Sequence, residues 1–167
     1  MAEKKWFVFY TKSRWEKKVE EYLDRFGFEP FLPIHKVLRQ WSDRKKKVEV
    51  PLFNSYIFVH DYEHRIRDIL QIPGISWNIR HNGKPAVLRQ EEKDMIERFV
   101  NSGLFMEAFS IDDIEPGDHV KVIDGPLRGA EGILSGDYSE EKFVVVLDGI
   151  DQAIKVSIDK KLLKKED

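Results

Sequence analysis

Helical spacing of apolar residues stops at Gly103, and this change of period constrains the fold more than any other feature of the chain. Before it, Trp15, Val19, Tyr22, Leu23 and Phe26 recur at helical spacing, as do Met95, Ile96, Phe99 and Val100 within residues 90–102. After it, short β-prone runs are punctuated by glycine: residues 120–123, 132–134, 143–147 and 153–156. That spacing predicts a small five-stranded barrel. A chain of 167 residues has room for two small domains. Residues 1–103 are expected to form the first and residues 115–167 the second. Residues 104–114 between them read as an acidic linker.

In the first half, Trp6-Phe7-Val8-Phe9-Tyr10 reads as a buried central strand. Ser13-Arg14-Trp15-Glu16 has the spacing of a capping box, with Ser13 and Glu16 each accepting from the other's amide. Gly27 ends the helix that follows. Pro30 and Pro33 mark residues 28–37 as an edge or irregular strand. Residues 36–47 read as a basic hairpin tip, and residues 52–59 as a second β-run. A short helix over 63–71 is stopped by Pro73-Gly74. A strand over 75–80, an Asn82-Gly83 turn and a helix over 90–102 complete the order β-α-β-β-β-α-β-α. Glu91 and Glu92 suit the positive end of that last helix. This order predicts an α+β domain, an antiparallel sheet flanked by helices.

Several chemistries are excluded. The chain has no cysteine, which removes disulfides, thiolate zinc sites and cysteine nucleophiles. It carries no G-x-S-x-G, GxxxxGK[ST], HExxH or GxGxxG motif. Of the five histidines, His60 and His64 share an i, i+4 spacing but lack a third ligand, so a surface pair is expected. Asp112-Asp113 and Glu91-Glu92 are adjacent acids whose side chains diverge. No enzyme, cofactor or metal is expected. The apolar run at residues 6–10 is too short for a signal peptide or a span, so a cytoplasmic protein without membrane contact is expected. The net charge of −2 conceals a surplus of five cations in residues 1–60 and five acids without a base in residues 101–118. A basic half facing nucleic acid and ordinary solvated charge both fit.

The run from Gly117 to Gly132 is the most specific local signal. Val120 and Val122 alternate into a small core, Asp124-Gly125-Pro126 makes a tight turn, and Gly129 relieves a second bend. Gly132 permits close backbone approach. The segment resembles a KOW motif. The first β-run and its helix, with Pro51-Leu52-Phe53-Asn54-Ser55-Tyr56-Ile57-Phe58-Val59, Pro73-Gly74-Ile75 and Gly83-Lys84-Pro85, are similar to the NusG N-terminal (NGN) domain. Both modules stand in the NusG order, so the resemblance covers essentially the whole chain. Within that family the sequence is most similar to the specialised RfaH-like and UpxY antitermination paralogues, through Tyr10 and the residues 51–59 run. One departure is Asn54-Ser55, where the family carries proline after the phenylalanine; the rigidity of this turn is therefore open.

The resemblance implies a monomeric, non-enzymatic transcription elongation or antitermination factor. Its N-terminal domain would seat an apolar patch on the clamp helices of the largest RNA polymerase subunit. The matching positions are Tyr10, Phe53, Tyr56 and Phe58, with Ile79 as a further one. Alternation puts Tyr56 and Phe58 on one face and Ile57 and Val59 on the other. At least one of the four aromatics is expected to be buried. Arg67 and Asp68 stand at the positions of the segment that meets the opposite jaw in RfaH-like proteins, with residue types that differ from RfaH. Lys12, Arg14 and Arg25 match positions contacting non-template DNA. Arg39, Arg44, Lys45, Lys46 and Lys47 form a second DNA or RNA candidate. The KOW domain would recruit the ribosome, a termination factor or another regulator. In RfaH it switches to a helical hairpin; here Val144-Val145-Val146 and Gly149 predict a stable barrel. A general housekeeping factor and a KOW-bearing ribosomal or RNA-binding protein are the alternatives.

Overall fold

The computed structural model of the chain describes residues 2–114, 117–135 and 142–166. Glu115 and Asp167, the bounds expected for the second domain, lie outside the described residues. The chain divides into two compact units: Met1–Ile34 with Pro51–Lys93, and His35–Val50 with Asp94–Asp167.

The first unit is built on β1 (Lys5–Thr11), whose residues 6–9 are apolar and buried on both faces. Helix α1 (Glu16–Arg25) follows, then β2 (Glu29–Phe31). The hairpin strands β3 (Ile34–Gln40) and β4 (Lys45–Pro51) come next in sequence. β5 (Tyr56–Asp61), α2 (Ile66–Ile69) and β6 (Ile75–Asn78) return to the sheet. β7 (Arg80–His81) and β8 (Lys84–Pro85) pair as a miniature hairpin, and β9 (Val87–Leu88) rejoins β1. The antiparallel sheet runs β2-β5-β1-β6, with β9 beside β6 on the far edge of β1. One face of it carries Phe7, Phe9, Ile57 and Val59, packed on Val19 and Leu23 of α1 and Ile69 of α2. Each such large side chain contributes roughly 1.5–3 kcal/mol on burial.

The second unit contains the β3–β4 hairpin, the later part of α3 (Gln90–Asn101) and an all-β body. Its strands are β10 (Met106–Ser110), β11 (Asp118–Val122), β12 (Glu131–Ser135), β13 (Lys142–Leu147), β14 (Gln152–Ser157) and β15 (Leu163–Lys165). They form one sheet in the order β10-β14-β13-β12-β11-β15. Phe143, Val144, Val145 and Leu147 of β13 are buried, as the β-prone run predicts.

Four sequence expectations are corrected. Residues 104–114 are not a bare linker: Met106–Ser110 pairs with β14 in full register, from Met106↔Val156 to Ser110↔Gln152. This raises the five expected strands to six. Only the partner strand, some 45 residues later, reveals β10, because its acidic surroundings mask the alternation. The capping box does not form. Arg14 takes a left-handed φ of 66°, Trp15 becomes the N-cap, and no side chain caps the helix. The second β-run begins only at Tyr56, since Phe53 to Ser55 turn the chain. The helix over 63–71 is a 3-10 turn (Glu63–Arg65) leading into the short α2. His60 therefore sits on a strand and His64 in the 3-10 turn, not on one helix.

Glu16 is buried and serves a different end. Its Oε2 accepts from the Ser55 N–H at 3.4 Å, while the Thr11 N–H donates to the Ser55 carbonyl at 2.8 Å. Ser55 holds a φ of 65°. These two bonds fasten the Asn54-Ser55 turn. Glu16→Ala leaves the Ser55 N–H without its acceptor and should destabilise the protein by about 1–3 kcal/mol. Glu16→Gln keeps an acceptor oxygen and should retain most of that stability. Urea denaturation of the two variants side by side checks this.

Candidate functional site

Period-two alternation sends Trp6, Val8 and Tyr10 to the sheet face opposite the α1/α2 core. The register brings Tyr56 opposite Tyr10, Phe58 opposite Val8 and His60 opposite Trp6. It also sets Trp77 of β6 against Tyr10 and Phe31 of β2 against Phe58. This second face is a continuous aromatic band.

One end of the band is covered by the start of α3. The Trp6 indole N–H donates to Gln90 Oε1 at 3.0 Å. The Lys93 ammonium lies 5.2 Å from the Trp6 ring centre and 5.0 Å from that of Phe31. His60 stacks on Trp6 at 4.8 Å. The other end is open. Trp77 is 54% exposed and stacks flat on Tyr10, with centroids 4.5 Å apart and planes 3° apart. Tyr10 meets Tyr56 edge-on at 5.8 Å. Tyr10 and Tyr56 are each half-buried.

Phe53 and Phe58 are in the interior, 2% and 0% exposed. They contact each other edge-on at 5.9 Å, and Phe53 lies 6.4 Å from Tyr56. They make the floor of the patch and present no ring to solvent. Of the four aromatics expected at this site, two are surface groups and two are support. Ile79 is half-buried, and its N–H donates to the Val8 carbonyl at 2.8 Å, which continues the alternation and puts its side chain on the Trp77 side. Trp77 was not among the residues expected from sequence. Its signal there is a lone tryptophan in a four-residue strand, meaningful only once Tyr10 is known to lie opposite.

Arg67 and Asp68 are exposed on α2, which covers the other face of the sheet. The structure does not bring them to the aromatic patch. Asp68 pairs loosely with Arg65 at 3.7 Å.

Lys12, Arg14 and Arg25 are all exposed but bracket α1 instead of forming one cluster. Ten residues of helix separate the two ends by about 15 Å. Lys12 and Lys18 lie over the Trp15 ring at 5.5 Å and 4.9 Å, and Arg25 lies over Tyr22 at 5.8 Å. Between them the helix carries an acidic strip. Burial pushes the Glu20 carboxyl above its usual range, and Asp24 and Glu21 add to this by like-charge repulsion. In the hairpin, Arg39, Arg44, Lys45, Lys46 and Lys47 are all exposed.

In the second unit Val120 and Val122 are buried, 3% and 1% exposed. The Val122 N–H donates to the Ala130 carbonyl and the Gly129 N–H to the Val122 carbonyl, closing the loop over the buried Leu127. Gly125 and Gly129 have φ of 87° and 91°, while Pro126 and Gly117 are exposed. A Cβ at Gly132 would meet the Val144 carbonyl oxygen and the Phe143 ring, so only glycine fits there.

Among the described residues, no group of three or more His, Asp or Glu side chains is placed to hold a metal ion. No helix among them is long and apolar enough to cross a membrane.

A family model described as "Transcription termination factor nusG" matches residues 4–97. The NusG transcription termination/antitermination protein of Pseudomonas aeruginosa is 28% identical over 147 residues, covering 78% of this chain and 80% of that protein. That of Xylella fastidiosa is 25% identical over 153 residues, covering 78% and 82%. That of Borreliella burgdorferi is 24% identical over 177 residues, covering 92% and 94%. A solved structure described as "Domain interaction in Thermotoga maritima NusG" covers 99% of this chain and 98% of its own, with a TM-score of 0.61 and 23% identity. At that identity the likeness speaks for the fold alone.

Proposed function

The chain belongs to the NusG family and is a NusG-type transcription factor, and from that premise we propose that it binds RNA polymerase through the open end of its aromatic band and suppresses pausing and termination. The observation that carries this reading is the Tyr10–Tyr56–Trp77 cluster. Large aromatic rings left half-open on a rigid sheet, over a buried aromatic floor, have the make-up of an interface hot spot. An amphipathic helical surface such as the clamp helices of the polymerase's largest subunit is the partner such a patch fits.

Arg67 and Asp68 face the other side of the same unit and would meet the opposite jaw. A factor holding both sides restrains clamp opening, which biases a conformational equilibrium and needs no bond chemistry. Lys12, Arg14 and Arg25 would contact the phosphates of the non-template strand, with salt-sensitive affinity. The KOW body would recruit a further partner, such as the ribosome or a termination factor. Tyr10 and the residues 51–59 run support restriction to particular operons, as in the RfaH-like and UpxY paralogues. The general housekeeping role is the second reading within the same family.

Co-purification with core polymerase tests the central part. Stable association is expected. Absence of association at micromolar concentrations of both components would refute it.

A further inference from the structure

The β3–β4 hairpin carries an aromatic group that the proposed function does not use. Trp41 sits at the tip and is 44% exposed. Its backbone N–H donates to the Arg44 carbonyl at 2.8 Å, which closes the turn and holds the two residues side by side. The Arg44 guanidinium lies 5.8 Å from the indole centre. Leu38, also on the hairpin, is 61% exposed. Lys36, Arg39, Lys45, Lys46 and Lys47 are exposed along the two strands, against Asp43 at the tip and Glu49 on β4. Among the described residues β3 and β4 pair only with each other.

Two features set this tip apart from ordinary solvated charge. A hairpin of two strands is marginally stable by itself and gains from a partner. An indole exposed at a strongly cationic tip is an unusual use of a large apolar side chain, and its flat face suits one ligand class. Every nucleobase has a π-face that stacks on an aromatic ring, and its flanking phosphates seek cations.

We propose that the hairpin tip is a binding site for an unpaired nucleic-acid strand, with a base stacked on Trp41 and its neighbouring phosphates held by Arg39, Arg44 and Lys45 to Lys47. Arg44 braces one face of the indole and the base takes the other. Bases inside a duplex are already stacked on their neighbours, so the site selects single strands over duplex. This extends the nucleic-acid part of the proposed function and is independent of polymerase docking.

The test uses the full chain without polymerase, titrated against fluorescently labelled 12-nucleotide single-stranded DNA, the RNA of the same sequence, and the corresponding DNA duplex, by anisotropy. One or both single strands should bind more tightly than the duplex, and the tighter of the two identifies the strand used. Trp41→Ala should weaken single-strand binding about 5- to 100-fold, and Trp41→Phe should restore most of it. Neutralising Lys45, Lys46 and Lys47 to Gln should flatten the salt dependence by roughly 0.7 in log–log slope for each phosphate no longer neutralised. Trp41 is exposed, so the fold should survive, as circular dichroism would show. Tighter binding to duplex, or Trp41→Ala binding as wild type does, would overturn the proposal. A loss confined to Lys12→Gln/Arg25→Gln, with the hairpin variants unchanged, would overturn it in favour of the α1 face alone. Failure of polymerase association would leave this result standing, so the two readings fail separately.

Discussion

The Tyr10→Ala/Tyr56→Ala/Trp77→Ala variant is expected to remain folded and to lose affinity for core RNA polymerase by about a hundredfold or more. Truncating one interface hot-spot residue costs about 2 kcal/mol or more, and the contributions of neighbours do not add fully. A hundredfold loss corresponds to about 2.7 kcal/mol, within reach of the three rings acting together. The fold should survive because Trp77 is over half exposed and the tyrosines are half-buried, so their removal opens little of the interior. Titration of labelled protein with core polymerase measures the effect, with circular dichroism as the control. Affinity within a factor of three of wild type would move the interface away from this face.

Phe58→Ala acts on the same face from beneath and has a different signature. Its ring is fully buried, 5.9 Å from both Phe31 and Phe53, on a strand paired along its length with β1. Deleting it removes a large apolar group and leaves a cavity among side chains that relax only partly. The expected cost is about 3–5 kcal/mol, a large share of the roughly 5–15 kcal/mol that holds a typical domain. The urea midpoint should fall sharply, and polymerase binding should fall with it because Tyr56 loses its floor. Phe58→Leu should recover much of both. A cost below about 1 kcal/mol would show that the aromatic floor is not what holds the patch. The pair of variants separates rings that touch the partner from rings that hold them in place.

Most of the fold was legible because its signals are local. The glycine spacing of residues 117–132, the helical period from Trp15 to Phe26 and the β-prone run of β13 each depend on neighbours a few residues away. What escaped was decided at long range. Glu16 has the spacing of a capping residue, but its carboxylate is taken by Ser55, 39 residues on. Met106–Ser110 becomes a strand only because β14 lies beside it. The site follows the same division. Alternation placed Tyr56 and Phe58 on one face, yet which ring stays open depends on what covers each end of the band. Trp77 gains its meaning from Tyr10 across the sheet. Trp41 gives no distinct signal among the cations of its hairpin, since exposure is a property of the folded chain.

On the proposed reading, the open aromatic patch couples this protein to a transcribing polymerase and keeps it moving. A single-round transcription assay on a template with a defined pause and an intrinsic terminator decides whether it does. Purified core polymerase would be run alone, with the wild-type protein, and with the Tyr10→Ala/Tyr56→Ala/Trp77→Ala variant. Shorter pauses and more readthrough are expected with wild type, and no effect with the variant. Unchanged or lengthened pausing with wild type, or an equal effect from the variant, would contradict it.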